Sequence, residues 1–99
     1  MEQTTKNISR QEMLNAIILA AQDGFYFEDV EMVQYTEKTG SGKKKTWNDR
    51  FDHIDLNGGK PMVWYIAGTG YKNSCFPIEA MTDKSIREFY AAIPNDNHL

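Results

Sequence analysis

Apolar positions along the chain form two stripes at helical spacing, with a stretch of strand-like alternation between them. Met13, Leu14, Ile17, Ile18 and Ala21 recur every three or four residues, the repeat that puts side chains on one face of a helix. Ser9-Arg10-Gln11-Glu12 just ahead of them is a capping box: the serine hydroxyl accepts from a free amide, and the glutamate reaches back to the cap amide. Ile8 and Met13 flank it as a hydrophobic staple, and Gly24 can take the left-handed conformation that closes a helix. The pattern predicts a helix over 10–23. Leu19 and Ala20 widen its apolar surface, which predicts cover on more than one side. The second stripe is Ile86, Phe89, Tyr90 and Ile93. Thr82 is its N-cap, Asp83 favours the positive end of the dipole, Met81 and Ile86 form a staple, and Pro94 stops the ladder. Asn95–Leu99 is expected to fray.

Between the stripes the signals are those of strands. Met62–Ala67 is continuously apolar and rich in β-formers, bounded by Gly58-Gly59 and Gly68-Thr69-Gly70. It reads as a central strand covered on both faces, with Pro61 at its tolerated first position. Tyr71–Ile78 alternates, with Phe76 and Ile78 on one face and Tyr71, Asn73 and Cys75 on the other. Asn57–Lys60 is a hairpin turn after a strand ending near Leu56, and Val30–Lys38 is a strand leading into the glycine-rich tip 39–43. The alternation breaks twice. Val30 and Met32 oppose Val33 and Tyr35, and Trp47 and Phe51 oppose Ile54 and Leu56. A β-bulge near Asp52-His53 repairs the second break by inserting one residue; a sheet covered on both faces makes both breaks harmless. The predicted fold is α+β: an N-terminal helix, a three- to four-stranded antiparallel meander and a C-terminal helix, with both helices on one sheet face.

That element order, with Phe76-Pro77-Ile78-Glu79-Ala80-Met81-Thr82-Asp83 running into a helix, resembles the short uncharacterised α+β proteins encoded by gut Bacteroidetes and their mobile elements. The resemblance covers most of the chain and implies a fold, with no activity to transfer.

Composition narrows the class. Ninety-nine residues, 40% apolar and 25% charged, predict one domain over 1–99, ordered from about residue 8 to 93. Ala16–Ala21 and Pro61–Ala67 fall far short of the roughly 18 apolar residues of a membrane span. Met1–Ser9 lacks the apolar centre of a signal peptide. A lone cysteine, Cys75, makes no internal disulfide and no multi-thiolate zinc site. These features predict a cytoplasmic protein without membrane attachment, metal or cofactor. The net charge of −3 disfavours a general nucleic-acid binder while leaving room for a local patch.

The candidate chemistry is sparse. Gly40-Ser41-Gly42-Lys43-Lys44-Lys45-Thr46 suggests a phosphate loop, but the first glycine of that motif falls on Glu37 and its hydroxyl position on Lys44. The string reads instead as a solvated hairpin tip whose lysines discourage edge pairing. An EF-hand alignment of 49–58 puts His53 and Trp64 where two acids are needed. Asp49, His53 and Asp55 would share a strand face only if no bulge intervenes. Cys75 with His53 is a possible thiol pair, although nothing in the sequence brings the two together, and His98 lies in the tail. The three lysines with Trp47 and Arg50 combine charge and an aromatic face, as single-stranded nucleic-acid binders do. Residues 40–60 carry five basic and three acidic groups, net +2, whereas 25–39 carry four acidic and one basic, net −3. That acidic neighbour opposes a phosphate backbone.

Aromatic residues make up 12% of the chain, more than two short helices readily cover. Phe25, Tyr26 and Phe27 cluster after the first helix, and an exposed Trp64, Tyr65 or Tyr71 calls for cover by another molecule. The reading favoured is a non-enzymatic interaction domain, working through an aromatic sheet face or as a homodimer. Its candidate surface is Lys43, Lys44, Lys45, Trp47, Arg50, Trp64, Tyr65 and Tyr71. Single-stranded nucleic-acid binding by 43–50, and a metal- or thiol-dependent enzyme, are the alternatives.

Overall fold

The computed structural model describes residues 8–68 and 72–94. Helix α1 spans Arg10–Gln22, and both bonds of the capping box form: Glu12 N–H donates to Ser9 Oγ at 3.1 Å, and Ser9 N–H to Glu12 Oε1 at 3.0 Å. Gly24 follows at φ +90°. Strands β1 (Met32–Lys38), β2 (Lys44–Asp55), β3 (Met62–Ala67) and β4 (Lys72–Pro77) form one antiparallel sheet in chain order. A 3-10 turn, Ile78–Ala80, leads to helix α2, Asp83–Ala92. Thr82 caps α2, with Ser85 N–H donating to its hydroxyl at 3.3 Å. Asn95–Leu99 lies outside the described residues.

Both helices pack on one face of the sheet, the α+β arrangement expected from the hydrophobic pattern. Leu14, Ile17 and Ala20 of α1 and Ile86 and Phe89 of α2 join Val33, Tyr35, Val63 and Phe76 in one core. Full burial of such side chains stabilises by about 1.5–3 kcal/mol each before conformational entropy is counted. Phe89 is the hub, with Phe27 at 5.3 Å and Phe51 edge-on at 4.9 Å between ring centroids. Leu19 remains 61% exposed, so α1 is covered along its main stripe and left bare beside it.

The bulge is present. Phe51 pairs with Tyr65 and His53 with Trp64, leaving Asp52 as the extra residue. It lets both Phe51 and Ile54 face the helices, and both pack against the core. The break at Val30 resolves differently, because β1 begins only at Met32. Val30 N–H instead donates to the Phe27 carbonyl in a turn. Two expectations need correction. β3 has strands on both sides but helices on one face only: Val63 is fully buried and Trp64 and Ile66 are half-exposed. β4 ends at Pro77, and Ile78 enters the core from the 3-10 turn instead of the strand.

The two sheet edges differ. Beyond β4 the chain returns to the outer edge of β1, where Met81 bridges to Tyr35 and Thr82 N–H donates to the Gln34 carbonyl at 3.0 Å. Arg10, at the start of α1, ties this crossing down. Its guanidinium donates to the Glu79 and Met81 carbonyls at 2.5 and 2.9 Å and pairs with Asp83 at 2.7 Å.

Candidate functional site

Cross-strand register sorts the candidate side chains by face, because directly paired residues point the same way. The apolar side chains of the helix-free face lie in three rows. One is Met32, Arg50, Ile66 and Asn73; the next is His53, Trp64 and Cys75; the third is Asp55, Met62 and Pro77. Met32 is 49% exposed, and Trp64, Ile66 and Met62 are half-buried by their own sheet neighbours. The His53 and Trp64 rings stack nearly parallel, 4° apart with centroids at 6.0 Å. This is an apolar strip with a tryptophan at its centre, edged by Arg50, His53 and Asp55.

The bulge separates what an unbroken strand would have aligned. Asp49 pairs across from Val33 on the helix side and accepts from the Tyr35 hydroxyl at 2.7 Å. His53 and Asp55 face the opposite way. Trp64 stands between His53 and Cys75, so thiol and imidazole lie two strand spacings apart, ~9–10 Å. Among the described residues no group of three or more His, Cys, Asp or Glu side chains could hold a metal ion.

The basic-aromatic set is also divided. Lys44 and Arg50 lie on the helix-free face, whereas Lys45 and Trp47 share the other, with the ammonium 4.3 Å from the ring centroid. Trp47 is 39% exposed. Lys43 is exposed in the tip, where Thr39 N–H donates to its carbonyl at 2.8 Å. Tyr65 faces the core, its ring 5.0 Å from Tyr35 and 5.7 Å from Phe76, and so is absent from the open strip. Tyr71 lies outside the described residues.

Among the described residues Tyr35 is the most perturbed titratable group. Burial first, then the neighbouring Tyr65 and Asp49, push its phenol well above the usual value of 10.0. The group is deep in the core and serves packing, with its ring stacked 4.2 Å from Phe76.

A cleft of about 440 Å3 opens where β2 outruns β1. Ala21 at the end of α1, the segment Phe25–Glu28, Val30 and the bulge residues Phe51–Ile54 line it. Phe27 is buried and Tyr26 is 79% exposed, while Glu28, Asp52 and His53 are exposed. Asp52 Oδ2 lies 2.6 Å from His53 Nδ1. The aromatic cluster at 25–27 was visible in the sequence; its meeting with the bulge was not, since the two segments are joined only by the tertiary fold.

No protein family, no curated protein and no solved structure matches the chain. No helix among the described residues is long and apolar enough to cross a membrane.

Proposed function

We propose that this protein is a non-enzymatic interaction domain acting through the helix-free face of its sheet, with a second copy of the chain as its first partner. One observation carries the reading: the strip of Met32, Ile66, Trp64 and Met62 lies on the face that neither helix covers. Apolar side chains gathered on one open face gain from cover by another surface. A twofold pairing of two such strips is the commonest arrangement that supplies it. The separation of Asp49 from His53, and of His53 from Cys75, supports a binding role over a catalytic one. The division of Lys45 and Trp47 from Lys44 and Arg50 weakens the nucleic-acid alternative. A lone cysteine fits a reducing cytoplasm.

Sedimentation of the full chain over a range of concentrations tests this. A dimer is expected to populate by high micromolar protein, and Trp64→Lys is expected to leave a folded monomer by circular dichroism. A strictly monomeric parent at those concentrations overturns the homodimer. Dimerisation unaffected by Trp64→Lys overturns the choice of face.

A further inference from the structure

We propose that the cleft between the end of α1 and the β2 bulge is a binding site for a small organic cation, an ammonium group carried on an apolar body. The site adjoins the open strip at His53, which lines the cleft and stacks on Trp64, but does not depend on that strip's being covered.

Three features of the cleft converge on that ligand class. Its volume, about 440 Å3, lies within the range of small-molecule sites. Its walls are apolar and aromatic, with Phe25, Phe27, Val30, Phe51 and Ile54 around the space and Tyr26 at the rim. Aromatic rings attract a cation through their quadrupole and tolerate the methylene groups beside it. The carboxylates lining the cleft are Glu28 and Asp52, the one base is His53, whose ring is held by Asp52, and no lysine or arginine lines it. Asp52 already engages His53 through one carboxylate oxygen, which fixes the group at the mouth. Charge complementarity therefore favours a cation over an anion of the same shape. A bare metal ion is a poor match, since among the described residues no three metal-ligating side chains come together and the walls offer it nothing. A cation that brings its own apolar body uses both halves of the site.

The geometry has a cause in the chain. β1 pairs with β2 only as far as Met32 with Arg50, and Phe51 N–H then donates to the Glu31 carbonyl at 2.9 Å. Upstream of this point the chain turns at Phe27–Val30 and leaves the rest of β2 uncovered on that side. The bulge falls at the same place and puts Asp52 on the rim.

The test is a titration of the full chain, followed by backbone amide resonances, with three probes of matched shape: 2-phenylethylamine, 2-phenylethanol and 3-phenylpropionate. The amine is expected to shift amides in 25–30 and 51–54 and to saturate. The alcohol is expected to bind there about tenfold more weakly and the carboxylate more weakly still. Glu28→Gln with Asp52→Asn is expected to bring the amine down to the level of the alcohol while alcohol binding persists, which shows that the cleft is still formed. Glu28→Gln alone serves if the double variant misfolds, with a partial loss expected. Equal binding of amine and carboxylate, shifts confined to other surfaces, or no response to any probe up to about 10 mM overturns the proposal.

Discussion

The backbone N–H of Gln34 donates to Ser85 Oγ at 2.7 Å, joining residues 51 positions apart. Ser85 is 1% exposed. With the Thr82 amide on the Gln34 carbonyl, it gives an edge strand the partners that a fifth strand would supply. Ser85→Ala leaves a shielded amide without an acceptor, at a cost of about 1–3 kcal/mol. The expected readout is a lower urea midpoint with an unchanged slope, and a melting temperature lower by about 4–8 °C per kcal/mol. A loss under about 0.5 kcal/mol would mean that water reaches the amide and that the edge is open.

The bulge makes an unusual deletion tolerable. Asp52 is the extra residue between two well-registered pairs, Phe51 with Tyr65 and His53 with Trp64. Removing it leaves Phe51 and Ile54 toward the core and His53 away, as in the parent. Removing Asn48, in the regular ladder opposite Gln34, inverts every side chain on one side of the cut. Deletion of Asp52 is therefore expected to keep a cooperative melt within about 2 kcal/mol of the parent, and deletion of Asn48 to abolish it. Circular dichroism melts of the two variants decide it; loss of folding in both would show that the bulge's twist is itself required.

This bulge also marks how far the sequence could be read. Its need followed from parity alone, since Phe51 and Ile54 cannot share a face of an unbroken strand. Both helices were legible because Ser9, Glu12 and Thr82 are local signals acting within four residues. The faces of Trp64 and Tyr65 were not legible: they adjoin in a wholly apolar strand, and no polar neighbour marks which one meets water. Nor was the cover of β1, because Ser85 looks like an ordinary first-turn serine until α2 is docked beside Gln34. The cleft escaped notice for the same reason, its two halves lying some 25 residues apart along the chain.

Alkaline pH should weaken the fold through Tyr35. Its phenol titrates at about 10 when unfolded and well above that in the core, because burial and then the Tyr65 and Asp49 neighbours oppose its ionisation. Above pH 10 the unfolded chain releases this proton and the folded chain keeps it, so stability falls as pH rises, by up to about 1.4 kcal/mol per pH unit from this group. Tyr35→Phe removes the titration and the 2.7 Å bond to Asp49 together. The variant is expected to be less stable at pH 7 and to show a shallower decline between pH 10 and 11 in urea melts. Parallel declines in the two proteins would assign the alkaline loss to other groups.

Two glycines with open surroundings separate backbone strain from crowding. A Cβ built at Gly24 or at Gly40 meets nothing within 4 Å, yet Gly24 sits at φ +90° and Gly40 is outside the left-handed region. Gly24 also holds the exit of α1, where its N–H donates to the Ala21 carbonyl at 3.0 Å. Gly24→Ala must therefore carry the left-handed penalty, about 1–2 kcal/mol, with no steric contact to confuse the reading. Gly40→Ala meets no such penalty and reduces the freedom of the unfolded chain, so it is expected to be neutral or stabilising by up to about 1 kcal/mol. Unfolding free energies of the two variants from urea melts should thus move in opposite directions or differ by at least about 1 kcal/mol, the cost of one left-handed residue. Equal midpoints would mean that the chain after α1 can relax out of the left-handed turn. The segment carrying Phe25 and Phe27 into the core would then be held by their packing alone.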